Sequence, residues 1–175
     1  MAPPGEMETG LAPVIDEGCV LVILGSFPGE WSLAERKYYA HPRNDFWPVM
    51  EAILGVHADA PYPDRLMGLL ERGVGLWDVI HSCRREGSSD SAIEDVVLND
   101  FRGFLSRYPA VDTLALNGGM AARQMARVVR SQDLSRDLRR IRLPSTSPAN
   151  ARYSRKEKIR AWETIRDHLP DPAPG

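Results

Sequence analysis

The chain reads as an α/β domain of three layers, helices on both faces of a central, mostly parallel four-stranded sheet. Three observations predict this. Short runs at 19–24, 75–80 and 111–116 have the mostly apolar composition of buried strands, and 138–143 reads as a fourth strand. Helical stripes separate them, the alternation that produces a parallel sheet. Two Gly/Pro/Ser-rich segments, GSFPG at 25–29 and PSTSP at 144–148, each directly follow such a run. In an open α/β sheet the strand C-termini share one edge where ligands bind, so loops over a hundred residues apart can meet there.

Residues 19–24 (CVLVIL) are continuous, β-branched and stopped by Gly25, which marks the first strand. Residues 45–54 form a helix: Asn44 or Asp45 caps it, Phe46, Val49, Met50, Ile53 and Leu54 make a stripe, and Gly55 ends it. Pro48 fits only in its first turn. A second helix covers 63–72 (PDRLMGLLER) and stops at Gly73. The second strand is 75–80 (GLWDVI). A helix at 99–107 puts Phe101, Phe104 and Leu105 on one side, with Pro109 beyond its end. The third strand is 111–116 (VDTLAL), followed by a helix over 118–129, a fourth strand at 138–143 and a closing helix at 154–169 before Pro170. Residues 1–15 and 170–175 read as frayed tails around a single domain at 16–169.

The chain has 175 residues, the length of one ordinary domain, with 43% hydrophobic and 26% charged residues. No apolar run approaches the roughly 20 residues of a membrane span. The acidic, Pro/Gly-rich start lacks the basic and apolar regions of a signal peptide. The expected compartment is the cytoplasm, with nucleoid association in a prokaryote, and no membrane partner. Cys19 and Cys83 fit neither a metal-ligand spacing nor a disulfide framework, and two thiols cannot hold a four-cysteine iron–sulfur cluster. No metal or other cofactor is expected. The net charge of −2 hides an asymmetry: residues 1–100 carry 7 Lys/Arg against 17 Asp/Glu, and residues 101–168 carry 15 against 6. A basic half suits a polyanion-facing side, and solvated helix faces account for it equally.

Five segments together carry a resemblance: GSFPGEWSL (25–33), YYAHPRNDFW (38–47), GLWDVI (75–80), LALNGG (114–119) and LPSTSPANA (143–151). In this order the chain resembles the uracil-DNA glycosylase superfamily, most closely its hypoxanthine-DNA (deoxyinosine) glycosylase branch. AHPRNDFW also looks like its counterpart in mismatch-specific uracil-DNA glycosylases. The resemblance spans nearly everything between Val20 and Leu169. It implies a uracil-DNA glycosylase-like fold and a monofunctional DNA N-glycosylase. Such an enzyme flips a deaminated base out of DNA and hydrolyses its glycosidic bond, leaving an abasic site. Hypoxanthine is the favoured base, with uracil or xanthine minor. The partner is DNA carrying a deaminated base, and the expected state is a monomer.

The residues bear separate reading. The loop at 25–29 can bring free amides close to a ligand, or can be only a tight turn. In most of the superfamily it supplies an Asp or Asn that orients the hydrolytic water. Phe27 stands there instead and cannot, which leaves it as a base-binding residue and makes vigorous uracil excision unexpected. In the hypoxanthine branch the role passes to an asparagine of the second segment, matched here by Asn44. An amide can hold a water by donor and acceptor together. Asn44 can equally be a helix cap. His41 is a rival, as general acid or as a hydrogen bond within its loop. Tyr39 aligns with an aromatic that stacks on the extruded base, or is half of a core-packed tyrosine pair, with Tyr38 the fallback. Asn117 can donate to the O6 of hypoxanthine and accept from its N1–H, or simply start an Asn-Gly helix turn. Ser26, Ser145, Thr146 and Ser147 can hold phosphates. Asn150, Arg152 and Arg155 lie where the loop should press on the DNA. Asp78 in GLWDVI and Asp100 in LNDF are acid/base candidates, with a structural role the favoured reading for both.

Two other classes remain open. A non-catalytic damaged-base binding module on the same fold is favoured by Phe27. A serine hydrolase using Ser26 or Ser145 lacks the G-x-S-x-G elbow.

Overall fold

The computed structural model describes residues 5–134, 137–172 and 174. The central sheet has four strands: β2 (Leu21–Gly25), β3 (Val74–Asp78), β6 (Thr113–Asn117) and β7 (Arg139–Leu143), in the order β3-β2-β6-β7. Every pairing is parallel, so all four C-termini share one edge. Gly25 pairs with Asp78 and Asn117 with Leu143, which lines these residues up along that edge. Each expected strand is present, its ends displaced by no more than two residues.

β2 alternates its sides, as strand geometry requires. Leu21 and Ile23 face a core made with α2 (Phe46–Leu54), α3 (Tyr62–Glu71) and α6 (Arg155–Trp162), including Phe46, Met50, Leu69 and Trp162. Val22 and Leu24 face a second core with α4 (Phe101–Arg107) and α5 (Gly119–Ser131), including Phe101, Phe104, Met125 and Val128. All four β2 side chains are fully buried, each contributing roughly 1.5–3 kcal/mol. These two cores are the physical meaning of three layers.

Five differences from the sequence reading matter. Residues 1–15 are not simply a frayed tail. β1 (Glu8–Thr9) pairs with β4 (Ile80–Arg84), and Val14 bonds Leu76 in both directions at 2.8 Å. Leu11 is buried, and Ile15 packs where a Cβ on Gly75 would be. The acidic, Pro/Gly-rich composition hid apolar residues that cover the free edge of β3. Tail residues 1–4, 173 and 175 lie outside the described residues. Second, residues 81–98 hold an antiparallel unit, β1-β4-β5, with β5 at Glu94–Leu98. Register shifts blur its alternation, which is why periodicity missed it. Third, α1 (Glu30–Glu35) follows the GSFPG loop; six residues are too few for a readable stripe. Fourth, the closing helix is α only to Trp162 and continues as a 3-10 turn at Glu163–His168. Fifth, α4 starts at Phe101 and not at residue 99, because Asp100 caps it, accepting from the Gly103 amide at 3.0 Å. Among the described residues, no helix is long and apolar enough to cross a membrane.

Candidate active site

A cleft of ≈ 1040 Å³ opens at the C-terminal edge of the parallel sheet. Its walls come from the loop after β2, the 38–44 segment, the ends of β3 and β6, and the chain from Arg142 to Tyr153. One residue stitches these walls together. Thr146, 1% exposed, donates its amide to Asn117 Oδ1 at 3.0 Å, and its hydroxyl accepts from Asn117 Nδ2 at 3.0 Å. Its carbonyl accepts from the Asp45 amide at 2.9 Å. The loop after β7 is thus clamped to the end of β6 and to the start of α2. Gly118 makes this approach possible. Its φ of 98° is left-handed, and a Cβ there would lie 2.9 Å from Ser145 Cβ.

The expected site residues divide as follows. Asn44 lines the cleft, and its Oδ1 accepts from the Phe46 amide at 2.9 Å. The amide oxygen therefore caps α2 while the amide nitrogen is not used in that contact. His41 Nδ1 accepts from the Arg43 amide at 3.0 Å, so neutral His41 carries its proton on Nε2. The His41 ring packs on Trp31, centroids 5.4 Å apart. Tyr39 holds a left-handed backbone, φ 56°, and stacks one face on Phe46 at 3.9 Å. Its hydroxyl is buried beside Asn117, whose side chain favours the ionised phenol, without a hydrogen bond of regular geometry. Burial, and then the nearby Asp78 charge, push the phenol well above its ordinary range. Tyr38 is core: it is 4% exposed, and its hydroxyl donates to the Ala12 carbonyl at 2.7 Å. Asn117 ends β6 on the cleft wall.

Phe27 touches the cleft but packs mainly with Ile80 and Cys83, under the Arg85 guanidinium at 5.1 Å. Ser26 donates to Asp90 at 2.9 Å. Ser145 accepts from the Ser147 amide and Ser147 from the Ala149 amide, both at 3.2 Å, while Asn150 donates to the Ser145 carbonyl at 2.9 Å. These polar groups brace their own loop. Arg152 lies at the cleft over Tyr153. Arg155 departs from its expectation. It does not line the cleft but pairs with Asp45 at 2.8 Å, because the α6 N-terminus turns it towards α2. Neither Ser26 nor Ser145 bonds a histidine, so a serine nucleophile has no base.

Asp78, an acid/base candidate for which a structural role is the favoured reading, lies in the cleft. It ends β3 on the cleft floor, 5% exposed, with Oδ2 unpartnered. Burial pushes its carboxyl up to about 7; Arg85 opposes that shift and Asp90 adds to it. One signal was available: a lone charge near the end of an apolar strand. The Ser88–Ser91 stretch and Trp31, also on the cleft, had no such signal, since both depend on the missed β4-β5 unit and α1. Among the described residues, no group of three His, Cys, Asp or Glu is placed to hold a metal.

The fold and cleft are those of a base-excising α/β enzyme, and the comparisons give the family. Residues 12–166 match the uracil DNA glycosylase superfamily model. A hypoxanthine DNA glycosylase of Methanosarcina acetivorans is 34% identical over 163 residues, 93% of this chain and 99% of the relative. A second, from Methanosarcina barkeri, is 39% identical over 110 residues, 62% of this chain and 70% of that one. A solution NMR structure from Methanosarcina acetivorans, described as a candidate uracil DNA glycosylase, superposes with a TM-score of 0.75 at 32% identity. It covers 92% of this chain and 99% of that one. The chain belongs to the uracil DNA glycosylase superfamily. Within it, the chain is a DNA N-glycosylase.

Proposed function

We propose that this enzyme releases hypoxanthine from deoxyinosine in DNA by hydrolysis, leaving an abasic site, with uracil and xanthine as minor substrates. The observation that carries the reading is the locked amide of Asn117. Thr146 N–H can only donate, so it fixes which side of the Asn117 amide is oxygen. The second lone pair of Oδ1 then suits the N1–H of hypoxanthine, while the side of the amide that can pair two adjacent groups at once is taken by Thr146. Adenine presents the inverse pattern to an amide that cannot flip. The names of the two relatives support the same base.

A purine in a duplex must be extruded to reach this floor. The face of Tyr39 away from Phe46 offers it a stacking surface. Asn44 then holds the attacking water, donating from Nδ2 and using the remaining lone pair of Oδ1. Departure of the base builds positive charge on the sugar, so positioning a weak nucleophile is sufficient. Arg142 and Arg152 supply positive charge along the cleft for the phosphates. All walls come from one chain, which suits a monomer acting on DNA in the cytoplasm or nucleoid. His41 is a loop brace in this scheme.

The second reading, a non-catalytic binding module, draws on Phe27, which gives the β2 loop no polar side chain for water. A fluorescent duplex with one inosine, incubated with the protein in EDTA and then treated with hot alkali, separates the two. Alkali-labile product is expected, and Asn44→Ala should slow its single-turnover formation at least 10²-fold, about 3 kcal/mol. Binding without product opposite any base overturns the glycosylase reading for hypoxanthine.

A further inference from the structure

Asp78 lies in the cleft, the scheme above does not use it, and its placement is costly. The carboxyl is almost wholly withdrawn from water, and Oδ2 has no partner. A buried carboxylate without partners is costly, and folds rarely keep one. The backbone makes room for it: Gly25 is its register partner, and a Cβ there would meet Asp78 Oδ1 at 2.6 Å. Its own carbonyl accepts from Asn99 Nδ2 at 2.7 Å, which pins the strand end. β2 separates β3 from β6, so Asp78 and Asn117 sit two strands apart, about 10 Å between Cα atoms. Gly25 ends the strand between them and places no side chain in that gap.

We propose that Asp78 is a further catalytic residue, the acid that protonates the purine as it leaves. This rests on the hypoxanthine reading. With the N1–H of the base on Asn117, the Asp78 carboxyl faces the imidazole side of the base. Its O–H proton moves to N7, the most basic ring nitrogen of a 9-substituted 6-oxopurine. The C1′–N9 electron pair stays with the base, which leaves as neutral hypoxanthine protonated at N7. The water oxygen bonds to C1′ and gives its proton to solvent, and Asp78 regains a proton from solvent. The balance is one water consumed and one neutral base released.

The surroundings suit an acid that is protonated near neutrality. Burial disfavours its charge, and Asp90 on the 88–91 stretch adds repulsion. Arg85, beyond β4, is the opposing charge: its Nη2 donates to the Pro28 carbonyl, while Nε and Nη1 are buried without partners. Tyr38 and Tyr39 share the pocket as neutral phenols, both held above their ordinary range by burial first and by Asp78 second. His81 reaches Asp78 only through Asn99, which it meets at 3.2 Å.

The test is single-turnover hypoxanthine release by the full chain from pH 5.5 to 9, comparing wild type with Asp78→Asn, alongside binding to an abasic-site duplex. Asn keeps the shape and a hydrogen bond but has no transferable proton. Wild type should exceed the variant at least 30-fold at pH 6 and less than 3-fold at pH 9, where Asp78 has lost its proton. Taking the ratio cancels pH effects common to both proteins. Abasic-site binding should stay within 2-fold. Gly25→Ala, which displaces the carboxyl and leaves Asp78 in the chain, should flatten the same pH limb. A wild-type to Asp78→Asn ratio that is constant with pH, or near one throughout, overturns the acid role. If wild type releases no hypoxanthine at any pH, the substrate reading fails along with it, and the two failures are told apart by the wild-type control.

Discussion

Two aspartates flank the cleft, and the protein treats them oppositely. Asp45, at the start of α2, is held by Lys158 at 2.9 Å and Arg155 at 2.8 Å. Burial alone would raise its pKa; the Lys158 and Arg155 hydrogen bonds outweigh that and hold it below the usual carboxylate range. Asp78, at the end of β3, is given no ion pair, and burial carries its carboxyl up to about 7. The first arrangement fixes α6 against the segment that carries Asn44. The second leaves a buried carboxyl oxygen unpartnered on the cleft floor. A partnered buried charge here is architecture, and an unpartnered one marks chemistry.

The largest expected effect comes from breaking the partnered case. Lys158 is 2% exposed, so Asp45→Ala leaves a buried ammonium without its counterion. A loss of about 3 kcal/mol in urea unfolding at pH 7 is expected. A loss below about 1 kcal/mol would show that Lys158 finds water instead. The Asp45 contribution has a definite pH sign. With a folded pKa below its unfolded value near 4, it is present above that value and is lost as pH falls through the folded pKa.

The opposite sign should appear at Asp78. Its folded pKa, about 7, lies above the unfolded value, so its penalty grows as pH rises from about 4 to 7 and is complete above 7. That separation sets a ceiling of roughly 4 kcal/mol, and water in the cleft reduces it. Asp78→Asn should therefore stabilise the fold by about 2 kcal/mol at pH 8 and by almost nothing at pH 4.5, read from thermal melts at both values. A destabilised variant at pH 8 would mean that Asp78 holds the fold together, as Asp45 does.

The smallest effect separates two arginines. Arg155 is 57% exposed, so Arg155→Ala should cost about 0.5 kcal/mol of stability, less in high salt. It should leave the salt dependence of DNA binding unchanged, whereas Arg152→Ala should lower the log–log slope by about 1. Equal slopes for the two variants would return Arg155 to the DNA-facing set.

Much of this molecule was legible along the chain. β2, β3 and β6 are mostly apolar runs, as parallel strands buried on both faces must be, whereas the edge strand β7 (RRIRL) is largely exposed and carries three arginines. The GSFPG and PSTSP loops announced themselves because glycine, proline and small hydroxyls serve no packing purpose there. What escaped was short or irregular: the six residues of α1, and a bulged antiparallel unit whose alternation breaks. The 8–15 stretch escaped because an edge cover needs only a few apolar contacts, too few to mark a composition.

Residue identity alone determined the layer order, the edge at which the loops gather, and the chemical kinds available there: amides at 44 and 117, an aromatic at 39, hydroxyls at 145–147. Hydrophobic periodicity and backbone restrictions are local properties, and they can be read locally. Partners are not local. Only the tertiary structure decided that Thr146 locks Asn117, that Arg155 turns away to Asp45, and that of two acidic residues in similar sequence settings one meets a buried lysine and the other meets nothing. A charge has the same covalent structure in both places. What it does depends on the groups that folding brings within a few ångströms of it, and those come from positions up to 113 residues away.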